Sequence, residues 1–266
     1  MEQSPEMIST MLNKSKQVAK LLLILLFWLL VWQVVYLIIG SDIIFASPLD
    51  TFKRVFELAA TADFWKNCAN SIFHIVFGFS LALIVSIPLA AVTSRFKFLN
   101  QLFSPIIKLI KATPVASFIV LALFWLKSGV VSFIAFLMVV PLVYSNLSEG
   151  FANVDKGLLE MAKIYRFSFI KKVRLIYVPS LMPYFVAACS VGLGFAWKAG
   201  IAAEVIGLPN STLGLEIYNA KIYIETVDLF ALTAVIIVLS IIMEKAFMWL
   251  LKKLSQKILR GGGKNA

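Results

Sequence analysis

The chain has a single histidine, His74, and two cysteines, Cys68 and Cys189, among 266 residues. That inventory excludes a disulfide framework and offers no cluster with metal-ligand spacing. Acidic residues are scarce too: 14 Asp and Glu stand against 25 Lys and Arg, a formal charge of +11. No nucleotide loop is present. Gly261-Gly262-Gly263-Lys264 lacks the GxxxxGK[ST] spacing and is read as a frayed tail. Neither a catalytic cluster nor a cofactor held by this chain is expected.

What the chain has in quantity is apolar sequence: 61% of it is hydrophobic, with a mean hydropathy of +0.91. Runs near 20 residues recur, long enough to cross a hydrocarbon core of about 30 Å at 1.5 Å per residue. The fold class is therefore an all-α polytopic membrane protein of about six transmembrane helices. The expected spans are 21–40, 69–92, 104–126, 130–147, 180–202 and 229–251 within a transmembrane domain 21–251. Lys14, Lys16 and Lys20 precede the first run, which is longer than the apolar region of a cleaved signal peptide and is read as a retained span. Ser47-Pro48 has the form of a helix start, with Ser47 as N-cap and Pro48 in the first turn. Pro114 should kink or break the third span, while Lys108 and Lys111 snorkel to the near interface. Lys127-Ser128-Gly129 is read as a tight turn.

Charge fixes the expected orientation. Segment 1–20, the 93–103 turn, the 148–178 loop and the tail 252–266 hold 16 basic residues. Segments 41–68 and 203–228 hold eight acids and four basic residues. The positive-inside bias then puts both termini and the 148–178 loop in the cytoplasm of a bacterial or archaeal cell, and explains the net charge without nucleic acid. Cys68, at the mouth of the second span, is expected to be reachable from outside.

The loop between spans four and five is the most informative stretch. Lys163, Arg166, Lys171, Lys172 and Arg174 crowd into it, yet Phe151, Val154, Leu158, Met161 and Tyr165 recur at 3/4 spacing and make an apolar stripe. Glu160-Met161-Ala162, three residues, Arg166, nine residues, then Ile176-Tyr177-Val178-Pro179 resembles the EAA motif of ABC-importer permeases, E-A-A-x3-G-x9-I-x-L-P. Met161 replaces the second alanine and Arg166 the glycine, which sits where a short helix ends in a left-handed turn. Ser168 could still cap the next helix. The resemblance covers roughly 40–250. Asn70-Ser71 with Gly78-Phe79, the Pro114 stretch ending in Leu123-Phe124-Trp125, Ala196-Trp197 with Ala203-Glu204, and Leu213-Gly214-Leu215 look like the nitrate/sulfonate/taurine subfamily. His74 stands where those permeases often carry Arg.

The resemblance implies a permease subunit paired with a second copy. It also implies cytoplasmic ATPase subunits that carry ATP and Mg, and an extracytoplasmic solute-binding protein. It makes 148–178 a coupling loop, with Asp155, Leu158, Glu160, Met161, Ala162, Tyr165 and Arg166 as ATPase-coupling residues. Ser168, Ile176 and Pro179 would be structural, with Pro179 at the boundary between loop and fifth span. Pro114, Lys198 and Glu204 are candidates for the translocation pathway, since ionisable residues at membrane depth face a cavity or a partner. Lys198 and Glu204 are six residues apart, about 120° in azimuth, so they should not pair directly. His74 and Cys189 are read as packing residues. The solute is left among nitrate, sulfonates such as taurine, and vitamin precursors. An ion-coupled secondary transporter is the alternative, and it would need inverted repeats and paired intramembrane acids. An intramembrane enzyme would need a catalytic cluster.

Overall fold

In lipid, each backbone N–H and C=O must be satisfied inside its own segment, so the apolar runs become helices. The computed structural model describes residues 5–126 and 129–263, with side chains for 19, 20, 22–126 and 129–256. Lys127-Ser128 of the expected turn and Lys264 of the tail lie outside the described residues. The order is α1 (Pro5–Ile39), α2 (Pro48–Ala59), α3 (Ala62–Arg95), α4 (Lys97–Ala112), α5 (Val115–Leu123), α6 (Val130–Ala152), α7 (Lys156–Ile164), α8 (Phe169–Lys172), a π-helical turn (Val173–Tyr177), α9 (Val178–Gly207), α10 (Leu213–Ile222) and α11 (Thr226–Gly263). No strand occurs among the described residues. Five helices are long and apolar enough to cross a membrane, or six if one bent pair counts as a span.

That pair is α4 and α5, which meet at 100°. The expected span 104–126 is therefore a broken one. Proline bars the preceding residue from the α region, and Thr113 is extended at φ −83°, ψ 132°. At about 24 Å and 14 Å, neither half reaches across a core of about 30 Å alone.

The chain divides into two compact units, Met1–Thr61 with Asn219–Ala234, and Ala62–Tyr218 with Val235–Ala266. In the first, Ser47 caps α2 by accepting from Asp50 N at 3.1 Å. Trp32 Nε1 donates to Ala46 O at 3.0 Å, and its ring lies 5.9 Å from that of Phe230. Arg54 forks onto Asp228 at 2.6 and 2.8 Å, a bidentate geometry that fixes both side chains. None of the apolar window Leu22–Ile39 of α1 is fully buried, and it is partly covered only around Trp32 and Tyr36.

The second unit is built on α3, α6 and α9. Ile75, Phe79 and Ala82 of α3, Ile134, Ala135, Val139 and Val143 of α6, and Ala188, Cys189, Leu193 and Ala196 of α9 are buried together. Lipid tails are as apolar as leucine, so close packing of small residues holds such helices. Gly78 shows how close: a Cβ there would fall 2.2 Å from the Ser132 carbonyl oxygen. Ser132 Oγ in turn donates to His74 O at 2.8 Å. Cys68 is 3% exposed, which corrects the expectation that an external reagent reaches it. It lies on the buried face of α3, after Phe64 and Asn67, instead of ending a loop.

Because Ser132 O belongs to a helix backbone and cannot move cheaply, Gly78→Ala should destabilise the protein by about 1–3 kcal/mol. Thermal unfolding of the detergent-purified variant would show this as a lower midpoint.

Candidate functional site

The loop after α6 is set up by local chemistry. Asp155 Oδ1 accepts from Gly157 N at 2.7 Å and caps α7. Nine residues later α7 ends in a paired turn: Phe167 N bonds Ala162 O at 2.9 Å and Arg166 N bonds Lys163 O at 3.2 Å. This is the Schellman arrangement, which puts its C′ residue in the left-handed region. Arg166 occupies it with φ +49°. The turn expected of the motif's glycine is built without glycine. Ser168 then caps α8, accepting from Lys171 N at 3.3 Å.

Val154, Ala162 and Ile176 pack together under Leu159, Phe167 and Tyr177. The motif's Ala162 and Ile176 are 0% and 2% exposed, so they shape the loop from its interior. The outward face belongs to Leu158, Met161, Ile164, Tyr165, Phe169 and Ile170, all exposed. Ile164, Phe169 and Ile170 escaped the sequence reading: Phe169 and Ile170 lie past the turn at Arg166, where the 3/4 stripe stops counting, and Ile164 sits beside Tyr165, which the stripe counted in its place. Glu160, Lys163, Arg166 and Arg174 are exposed around this tip. Lys171 lies 4.4 Å over the Phe167 ring.

Pro179 does not end the loop. The chain is helical from Phe169 to Gly207, with Val178 N bonding Val173 O across five residues. The π turn shifts the hydrogen-bond ladder just where proline lacks a donor, which spares the break.

The three membrane-level candidates do not converge. Pro114 is exposed at the α4–α5 elbow and Lys198 is exposed on α9, whereas Glu204 is 0% exposed. Lys111 donates to Ser145 Oγ at 2.7 Å, and Lys108 is exposed. His74 is half-buried, edge-on to Phe73 at 5.7 Å, beside an aromatic cavity of about 460 Å³ lined by Phe77, Phe133 and Phe136.

Glu204 belongs to a polar knot that sequence reasoning missed. Its Oε2 accepts from Ser71 Oγ and from Gly214 N, each at 2.9 Å, and Ser71 Oγ accepts from Leu213 N at 3.0 Å. Asn67 Nδ2 donates to Glu216 Oε1 and Asn70 Nδ2 to Ser211 O, both at 3.0 Å. A Cβ on Gly214 would stand 2.2 Å from Glu204 Cβ. Asn67, Asn70 and Ser71 share one face of α3 at 3/4 spacing. That face was the available signal.

An all-helical membrane protein with a preformed, apolar-tipped loop of EAA spacing between two spans has the anatomy of an importer permease. The chain belongs to the family described as binding-protein-dependent transport system inner membrane component, which it matches over residues 68–260. It is the permease subunit of an ABC importer. It is 26% identical over 189 residues to SsuC of Escherichia coli (strain K12), named as an aliphatic sulfonates transport permease, covering 70% of this chain and 71% of that one. It is 23% identical over 189 residues to the bicarbonate transport system permease CmpB of Synechococcus elongatus, covering 70% and 68%. A protein of Brucella melitensis named as an ABC transporter permease is 23% identical over 220 residues, covering 80% and 87%.

A left-handed non-glycine residue costs on the order of 1 kcal/mol, so Arg166→Gly should stabilise the loop by about that amount, less the added freedom of the unfolded chain. Hydrogen exchange at the amides of 163–168, slowed in the variant, would show it.

Proposed function

We propose that two copies of this chain enclose the solute path, and that the tip formed by α7 and α8 docks into a cytoplasmic ATPase subunit. ATP and Mg act on that subunit. The observation that carries this reading is the pairing of an exposed apolar tip with a closed interior at Val154, Ala162 and Ile176. A surface that keeps its shape without a partner can dock with little ordering cost. It can also pass a displacement on, where a soft loop would absorb it. The charges around the tip set orientation on docking more than affinity.

With the loop inside the cell, both termini are cytoplasmic, and 41–68 and 203–228 face the extracytoplasmic solute-binding protein. The solute is a small polar molecule. Sulfonates and bicarbonate, named for the relatives, stand beside nitrate and vitamin precursors as candidates.

Docking is tested by co-expressing the permease with its ATPase subunit. Tyr165→Asp with Ile170→Asp should abolish co-purification, because two carboxylates would be buried unpaired. Glu160→Arg should leave ATP hydrolysis uncoupled from uptake. Unchanged coupled uptake in both variants would remove the tip from the docking surface.

Orientation is tested by a single cysteine at the exposed Thr61, T61C, in a Cys68→Ser, Cys189→Ser background. A membrane-impermeant maleimide should label it in intact cells with a permeabilised outer layer. Labelling only after the inner face is opened would invert the topology.

A further inference from the structure

Lys198 lies on a stripe of α9 that the rest of its unit leaves uncovered, with Val191 52%, Phe195 50% and Ile206 40% exposed. These positions follow helical spacing along one face. Lys198 stands nine residues, about 14 Å along the axis, before the end of α9 at Gly207, within the expected span 180–202. No hydrogen bond or ion pair engages it among the described residues. The other charge on the helix, Glu204, is turned into the knot with Ser71 and Gly214. An ammonium at this depth, with no acid beside it, needs a counter-charge from outside its own chain.

Gly194, one turn below on the same stripe, supplies the second observation. A Cβ added there would meet nothing within 4 Å. The other α9 glycines all face neighbours: a Cβ on Gly200 would clash with Ile75 at 2.4 Å, one on Gly207 would crowd Val130 at 3.1 Å, and one on Gly192 would make an ordinary contact with Val139 at 3.5 Å. Helical side chains lean toward the N-terminal turn, so the stem of Lys198 leaves its backbone in the direction of the Gly194 notch. A bare backbone lets a ligand come close.

We propose that Lys198 and Gly194 form an oxyanion subsite on the solute path, taking a sulfonate, carboxylate or bicarbonate group between the flanking Val191 and Phe195. This rests on the proposal above that two copies of this chain enclose the solute path, with the uncovered α9 face turned toward it. The ammonium supplies charge and up to three donors to the oxyanion, and the notch admits its bulk. Cationic vitamin precursors are thereby disfavoured as solutes.

The test uses the assembled permease–ATPase complex in nanodiscs, with methanesulfonate and bicarbonate as probes and dimethyl sulfone as the neutral isostere of methanesulfonate, at constant ionic strength. At least one oxyanion should raise the unfolding temperature saturably, and the sulfone should not. Lys198→Met should weaken the apparent affinity roughly tenfold or more, Lys198→Arg should keep most of it, and Gly194→Leu should lose it by filling the notch. A shift that survives Lys198→Met, or no oxyanion shift in the unaltered protein, overturns the subsite. If Lys198→Met instead splits the complex into single permease copies, Lys198 pairs with an acid of the partner subunit and the subsite is wrong. Absence of the ATPase from complexes of the unaltered permease would count against the importer reading itself, separately from these outcomes.

Discussion

The approach of Gly78 to the Ser132 carbonyl is the contact on which the larger unit depends. A membrane core gains little from hiding apolar surface from lipid, so helices must meet at distances that allow dense atomic contact and interhelical hydrogen bonds. Gly78 permits that distance, and the Ser132 hydroxyl bonds back to the same helix at His74 O. Ile75 and Phe79 flank the glycine and are buried against the same core. Once α3 and α6 are locked at this spacing, α9 closes the group, and everything of chemical interest is carried on α9 or on the segments that enter and leave it.

At the end that carries the 148–178 loop the same logic runs in miniature. Three buried residues, a capped helix and a Schellman turn hold the EAA-spaced loop in shape. The left-handed Arg166 is a local conflict that the turn's two backbone bonds overrule. An arginine there gives up backbone comfort while placing a cation beside the docking tip. At the opposite end, Ser71, Glu204 and Gly214 bring together three segments that the subfamily resemblance had pointed to separately.

Much of this was legible in the sequence. Ser47-Pro48 announces α2, Pro114 announces a break, and the spacing from Glu160 to Arg166 announces a short helix closed by a turn, because each signal is local. What stayed hidden depended on distant partners or on backbone adjustment. The bonds of Glu204 come from residues 133 and ten positions away. The apolar tip continues past a turn that resets the helical phase, so Phe169 and Ile170 dropped out of a periodic count. Pro179 reads as a stop only if the ladder stays α-helical, and the π turn removes that premise. Cys68 looked like a loop residue because hydropathy does not say where α3 begins.

The helical run from Phe169 to Gly207 has a mechanical consequence. The exposed Phe169 and Ile170 sit at its first turn, and the stripe bearing Lys198 sits near its far end. The ladder between them departs from the α-helix only at the π turn and at Pro179 and Pro183, so the two places are the handle and the blade of one tool. A tilt imposed at the handle reaches the blade with the arm's own leverage, with no relay of side chains in between. The knot around Glu204, joining the blade's tip to α3 and α10, then acts as the pivot about which such a tilt would turn.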